Sequence, residues 1–405
     1  MGTKSARTGE PTADETQGKR TTMADGGIET AVRAAALKET DASQIDDINE
    51  SGRSPGAVFA PSDLVPFITV VVPVRNEARF IARTIEQLVD QDYPGDRFEV
   101  LVVDGRSDDE TCAIAGSLAA VHPNMKVLDN PKHLSSAARN IGVRRARGDL
   151  IVIVDGHCEL EGRDYLRNLA DAFERSAADC LGRPQPLDVT GASTLQKAIA
   201  AARSSWLGHH PDSFIYSSEE RFVPAQSVAV AYRREVFDRV GEFDERFDAC
   251  EDVELNHRID RAGLRCFLTP AVRVRYFPRS SLRSLFRQMA RYGRGRVRLL
   301  RKHPETFSPG GFIPAAWVAG LALGPLAGIL WPPLWWVYDG LVALYASAVL
   351  ATSASLALRR REPRFLGWLP MVFLTVHAGS GWGVLAELFG GACDARMALR
   401  SPKVS

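Results

Sequence analysis

The chain has 405 residues, room for two or three domains. Lysine and arginine (50) balance aspartate and glutamate (49), so net charge makes no case for a nucleic-acid partner. The six cysteines form no CxxC pair, which excludes a dense disulfide or zinc framework and fits unpaired thiols in a reducing compartment.

Residues 1–61 are rich in Thr, Ala, Gly, Asp, Glu and Ser and contain no long apolar run. They read as a disordered tail without a signal peptide, although Ile28 to Lys38 has the pattern of a short helix. Order begins with the apolar strand Phe67 to Val74, followed by Asn76 as an N-cap and a helix with Phe80, Ile81, Ile85 and Leu88 on one face. A second strand, Phe98 to Val103, ends in Asp104, and Ser107 with Glu110 has the spacing of a capping box for the next helix. A short strand at Lys126 to Leu128 and a helix from Ser135 to Ala146 lead to the run Ile151 to Val154. Alternation of this kind predicts an α/β domain with a mostly parallel sheet flanked by helices, over residues 62–278. Neither GxGxxG nor GxxxxGK[ST] occurs, so neither a dinucleotide dehydrogenase nor a P-loop enzyme is supported.

Chemistry gathers at the strand ends, where ligands of α/β sheets bind. Ile151 to Val154 ends in Asp155-Gly156-His157. An oxygen and a nitrogen donor two residues apart suit Mn²⁺, and Mg²⁺ less strictly, and such an ion would neutralise a diphosphate. A polar turn ending a strand accounts for the same three residues. Asp104 is either a base- or ribose-binding carboxylate or simply a helix-start residue. Cys158 points to the opposite face of the strand from His157 and is not read as a ligand. Asp164 to Ala178 is a further amphipathic helix, and His209-His210 is a solvated pair or a metal pair. Phe222 to Tyr232 reads as a strand, Arg234 to Val240 as a short helix, and Gly263 to Leu268 as a strand. A helix starts near Asp252, where first-turn acids contribute roughly 0.3–1 kcal/mol through the macrodipole. That alone explains Glu251 and Asp252; the functional reading places Asp252 at the helix start, facing the sheet edge, to take a proton.

From Arg279 to Lys302 there are nine basic residues and no acid, with Leu282, Leu285, Phe286 and Met289 as an apolar stripe. Residues 279–303 therefore read as a basic amphipathic helix at a membrane surface, with RNA as the rival partner. Two to three transmembrane helices over residues 312–390 favour the membrane: Phe312 to Leu330, Leu334 to Leu358 with Asp339 inside it, and Phe365 to Phe389, interrupted by Gly379-Ser380-Gly381-Trp382-Gly383. Arg359 to Arg364 and the basic helix on one side give a cytoplasmic catalytic domain at the cell (inner or plasma) membrane. A third span would leave Arg396, Arg400 and Lys403 of the tail 391–405 outside, so the last segment is spanning or interfacial.

Val72-Pro73-Val74-Arg75-Asn76-Glu77, Val102-Val103-Asp104-Gly105, Ala138-Arg139-Asn140 with Gly142, Asp155-Gly156-His157, Glu251-Asp252 and Gln288 with Arg291-Tyr292 stand in the order found in family 2 inverting glycosyltransferases of the GT-A fold. The chain resembles that family from Phe67 to Arg301, and within it the bacterial exopolysaccharide glucosyltransferases of the succinoglycan type. The resemblance implies a nucleoside diphosphate sugar donor, with UDP-hexose first, and a lipid-linked saccharide acceptor such as an undecaprenyl diphosphate oligosaccharide. It implies Asp104 on the uracil, Glu77 and Arg139 near the nucleotide, Asp155 at the ribose or the metal-bound diphosphate, Asp155 and His157 on Mn²⁺ or Mg²⁺, Gln288 and Arg291 near acceptor and diphosphate, and Asp252 as general base. Three departures stand out: Gly105 replaces a second Asp, His157 replaces the last Asp of Asp-x-Asp, and Tyr276-Phe277 stands where some members carry a late metal-binding His. The rivals are a polyprenyl-phosphate glycosyltransferase and an inactive sugar-nucleotide-binding scaffold.

Overall fold

The computed structural model describes residues 65–209 and 214–398, with side chains through Gly390. The expected N-terminal tail, its short helix, His210 and residues 399–405 lie outside the described residues. The elements run β1 Ile68–Val74, α1 Ile81–Val89, β2 Phe98–Asp104, α2 Thr111–Ala119, β3 Met125–Asp129, α3 Ser135–Arg145, β4 Leu150–Ile153, β5 Cys158–Leu160, α4 Tyr165–Ser176 and β6 Cys180–Gly182. Then follow α5 Thr194–Arg203, β7 Arg221–Val223, α6 Ala225–Val228, β8 Ala229–Arg233, α7 Arg234–Val240, α8 Glu251–Arg261, β9 Cys266–Leu268 and β10 Val274–Tyr276. Four long helices close the chain: α9 Leu282–Lys302, α10 Pro309–Leu330, α11 Leu334–Arg360 and α12 Phe365–Ala398.

An eight-stranded sheet has the order β3-β2-β1-β4-β8-β6-β9-β7. The strands β3, β2, β1 and β4 are parallel, and β8 runs antiparallel to β4. The apolar runs of β1, β2 and β4 are buried because helices cover both faces. Register brings Val74 opposite Asp104, so β1 and β2 end level, and β4 ends beside them. The carboxylate-bearing ends therefore share one edge of the sheet.

Three local expectations give way to long-range contacts. Asn76 is not an N-cap: it sits at φ 58°, and its side chain accepts from the Asp108 amide at 3.0 Å. Ser107 does not open a capping box. Its hydroxyl donates to Asp104 at 2.6 Å, and Asp109 takes the cap's place by accepting from the Thr111 amide at 3.0 Å. Phe222 to Tyr232 is not one strand: Pro224 cannot donate to a ladder, and the Asp260 carboxylate accepts from the Ala225 and Gln226 amides, turning the chain into α6.

The basic helix α9 forms as expected, but its apolar stripe meets protein. Leu285 and Met289 pack with Ala198 and Ile199 of α5 and with Phe365, Leu369, Phe373 and Val376 of α12. α12 runs unbroken through its glycines, and Gly379, Gly381 and Gly383 lie where another backbone comes close. A Cβ at Gly383 would overlap the Ala290 carbonyl of α9, and one at Gly379 would stand 2.8 Å from Met289 Cβ. Gly379 and Gly383 thus form a small-residue face of the kind that lets helices touch. Further along, Glu387 Oε1 lies 3.1 Å from Arg298 and 3.3 Å from Arg301. α10, α11 and residues Phe365–Gly390 are each long and apolar enough to cross a membrane.

A larger side chain at Gly383 should separate α9 from α12. Gly383→Leu should cost about 1–3 kcal/mol, as overpacking does, read as a lowered thermal midpoint in detergent. Gly390→Leu, with nothing within 4 Å of its added Cβ, should leave the midpoint unchanged.

Candidate active site

The Val154 amide holds the end of β4 to β1 by donating a hydrogen bond to Val71 O, and the chain then turns through Gly156. A Cβ there would stand 2.5 Å from Val74 Cγ1, so only glycine lets this turn pack on β1. The turn presents Asp155 on one side and His157 on the other.

Asp155 is the centre of the site. Its Oδ1 lies 3.7 Å from Arg139 Nη2, and its Oδ2 accepts from the Tyr276 hydroxyl. Arg139, from α3, also reaches Glu251 Oε1 at 3.5 Å. Burial acts to raise the Asp155 pKa, but Arg139, His157 and the Tyr276 hydrogen bond outweigh it and hold the carboxyl below its ordinary value. Arg139 itself is buried and stays protonated: burial opposes its charge, and Glu251, Asp252 and Asp155 more than compensate.

Asp252 follows in the first turn of α8. Cys250, at φ 63°, turns the chain into that helix, and Asp252 Oδ1 accepts from the Val253 amide at 2.8 Å. Burial, then the negative charge of Glu251, push the Asp252 pKa up, with Arg139 opposing. Two aspartates near one arginine are thus driven apart, Asp155 toward the ionised form and Asp252 toward higher proton affinity.

His157 Nδ1 stands 3.1 Å from Glu77 Oε1. A carboxylate only accepts, so Nδ1 carries the proton and Nε2 keeps its lone pair in the neutral ring. Metal-binding histidines are oriented by this kind of carboxylate bond. Burial works to lower the His157 pKa, but the Glu77 hydrogen bond and the charges of Asp155 and Glu77 hold it above its usual value. Asp155 and His157 therefore suit a divalent ion that accepts mixed oxygen and nitrogen ligands, as two protein donors with Glu77 behind the imidazole. The one trio of donors within 4.8 Å of one another among the described residues is elsewhere, at His257, His303 and Glu305, where Glu305 already pairs with Arg261 and His303 with Glu254.

Other expected residues stand further out. Asp104 is buried, and both of its oxygens accept from Ser107. Gln288 donates to the Tyr292 hydroxyl at 3.3 Å, and Arg291 to the Asp248 carbonyl at 2.7 Å. Neither bonds Asp155 or Asp252; Tyr292, next to Arg291 on α9, is among the residues on which the Asp252 charge acts. The His209 ring lies tilted against Tyr216, centroids 4.8 Å apart. Cys158 is buried, and burial with the Asp155 charge pushes its thiol up to about 12, so it stays a thiol.

Two residues of the centre escaped the sequence reading. Arg183, 1% exposed, bonds Tyr165 at 2.8 Å and lies in the field of Tyr276 and Asp155. Tyr276, noted only as a missing histidine, donates to Asp155. Among the described residues the buried Nε–H groups of Arg139 and Arg183 have no acceptor. Buried donors are nearly always paired, so these two fit a site completed by an anionic ligand.

The model of the family described as glycosyltransferase like family 2 matches residues 66–295. The succinoglycan biosynthesis protein ExoA of Rhizobium meliloti (strain 1021) is 34% identical over 296 residues, 73% of this chain and 87% of that protein. The dolichyl N-acetyl-alpha-D-glucosaminyl phosphate 3-beta-D-2,3-diacetamido-2,3-dideoxy-beta-D-glucuronosyltransferase of Methanococcus voltae is 26% identical over 333 residues, 80% of this chain and 98% of that protein. The solved mannosyltransferase PcManGT from Pyrobaculum calidifontis, in complex with GDP-Man and Mn²⁺, aligns at a TM-score of 0.49 and 23% identity, over 82% of this chain and 92% of that chain. With the family model running from β1 into α9, across the whole sheet and the Asp155 centre, the chain belongs to glycosyltransferase family 2 and has the GT-A fold.

Proposed function

We propose that the protein is a membrane-anchored inverting glycosyltransferase. Its donor is a nucleoside diphosphate sugar, with UDP-hexose first, and its acceptor a lipid-linked saccharide in cell-surface or exopolysaccharide synthesis. The observation that carries this is the Arg139 centre: buried guanidinium donors without acceptors beside an ionised Asp155, and Asp252 with raised proton affinity two residues past a left-handed turn. The first part suits a diphosphate, the second a hydroxyl that must lose its proton. The names of the two relatives support the acceptor class, one being a succinoglycan biosynthesis protein and the other acting on a dolichyl-linked sugar phosphate.

Asp252 takes the proton of the acceptor hydroxyl as that oxygen attacks the anomeric carbon, and one displacement inverts the centre. Arg139 and Arg183 donate to the leaving diphosphate through their unpartnered nitrogens. Asp104, with lone pairs left beyond those Ser107 uses, accepts from the donor's base. Glu77 holds the His157 ring in one tautomer, and Tyr276 holds the Asp155 carboxylate. A Mn²⁺ or Mg²⁺ held by Asp155 and His157 would act as Lewis acid on the diphosphate. Gln288, Arg291 and Tyr292 bound the acceptor side.

At the membrane, α10 runs out and α11 returns. Exposed Leu326, Ile329, Leu330, Trp331 and Trp336 crowd the far end of this hairpin, as interfacial tryptophans do. α12 stays behind. Its start packs on α5 and its Glu387 pairs with α9, so both ends of a stretch of roughly 33 Å rest on the catalytic domain. A helix held that way does not carry its far end across a core about 30 Å thick. The C-terminus then lies on the side of the catalytic domain, the cytoplasmic one, with the arginines of the α11–α12 link.

Asp252→Asn should lower donor consumption in the presence of lipid-linked acceptor by about 10²–10⁴-fold while leaving UDP affinity unchanged by titration calorimetry. Wild-type turnover in this variant would remove Asp252 from the mechanism, and acceptor-independent UDP binding with no turnover in the parent would favour a scaffold.

The Glu251 charge raises the Asp252 pKa. Glu251→Gln should therefore lower it, and since the base acts deprotonated, the acid limb of the kcat/KM profile should move to lower pH. An upward move, or none, contradicts the assignment.

A reporter fused after Ser405 should lie on the same side of the membrane as one in the catalytic domain, and a reporter inserted at Pro332 on the other. Opposite sides for Ser405 and the catalytic domain would mean that α12 spans.

A further inference from the structure

A cavity of about 560 Å³ lies away from the Asp155 centre. Its walls include Pro186 and Leu187 from the segment after β6, Lys197 of α5, Arg273, and Arg360 and Phe365 where α11 ends and α12 begins. It therefore sits at the base of the α10–α11 hairpin. A volume of this size is in the range of sites that hold a small organic ligand.

The lining has two characters. Proline, leucine and phenylalanine side chains make apolar wall. Lys197 is half-buried and Arg360 exposed, and neither makes an ion pair among the described residues. Arg273 is neutralised by Glu161, and Glu362 is the one acid in the wall, so positive charge is in excess. Uncompensated cations over apolar surface at the foot of a membrane hairpin match a phosphate joined to a hydrocarbon chain.

The cavity wall is tied to the donor centre through Tyr276. The Tyr276 amide donates to Pro186 O at 3.3 Å, and the Asp188 amide to Tyr276 O at 2.7 Å. The Tyr276 hydroxyl donates to Asp155. One extended segment thus separates the two sites, and a lipid head held in the cavity keeps whatever it carries near the sugar donor. A bulk phospholipid has no need of that adjacency.

The geometry points to a site for the lipid-phosphate anchor of the acceptor: a polyprenyl phosphate group between Lys197 and Arg360, with the first chain units against Pro186, Leu187 and Phe365. This rests on the reading of the protein as a transferase to a lipid-linked acceptor. Photo-crosslinking tests it without turnover. The full chain, with a benzophenone amino acid in place of Leu187, is placed in phosphatidylcholine nanodiscs doped with polyprenyl phosphate, with polyprenol, or with phosphatidylglycerol. Polyprenyl phosphate should be captured in preference to both others. The Lys197→Glu/Arg360→Glu double variant should weaken capture roughly 30-fold, Lys197→Arg should keep it, and UDP binding should be unchanged in each. Should the double variant lose UDP binding through misfolding, Lys197→Gln and Arg360→Gln are read in its place, each with reduced capture expected. Equal capture of polyprenol or of phosphatidylglycerol, or undiminished capture after charge reversal, overturns the site while leaving the transferase reading intact. Capture as expected, with no Asp252-dependent turnover, supports the site and counts against the transferase reading.

Discussion

The Arg139 guanidinium is the constraint around which the catalytic half is arranged. It is buried, and a buried cation is costly unless carboxylates surround it. Those carboxylates come from two distant places, Asp155 after β4 and Glu251 at the start of α8, while α3 supplies the arginine. One charge therefore ties a helix packed on β1 to the end of β4 and to a helix reached a hundred residues later. The cation acts on all three acids: it lowers the pKa of Asp155 and opposes the rise of Asp252, which burial and the repulsion of Glu251 hold up. Acid and base chemistry needs pairs of titratable groups pushed apart in this way, and the same contact that holds the fold contributes to that separation.

Much of this is legible in the sequence. The apolar runs of β1, β2 and β4 fix their own burial, and Asp104 and Asp155 stand where such runs stop, so the strand-end chemistry follows from order alone. What stayed hidden depends on partners far away in sequence. Asn76 and Ser107 have the composition of caps, yet each spends its side chain on the other loop or on Asp104. Arg183 is an arginine after a three-residue strand, with nothing local to announce complete burial. Tyr276 matters through a contact 121 residues away. Pro224 did carry a readable signal against a continuous strand.

The C-terminal helical half shows a different limit. The basic helix, with no acid of its own, points to anionic lipid only while partners are sought locally. Arg298 instead finds Asp248 and Glu387, and Lys302 finds Asp244 and Glu254. Likewise the glycines of α12 look like helix breakers in a water-based reading, yet against α9 they are what permits contact.

The Arg298 pairs are partly exposed, so each contributes little to stability, and their value is positional. Arg298 holds Glu387 of α12 with one side of its guanidinium and Asp248 with the other, and Arg291 holds the Asp248 carbonyl. Asp248 leads through Cys250, itself pressed on Gly295 of α9, into Asp252. The segment that presents the proposed base is thus clamped from the same helix face that grips α12. A shift of α12 relative to α9 would therefore be felt at Asp248, four residues before Asp252, so the packing of α12 and the placement of the proposed base are mechanically linked.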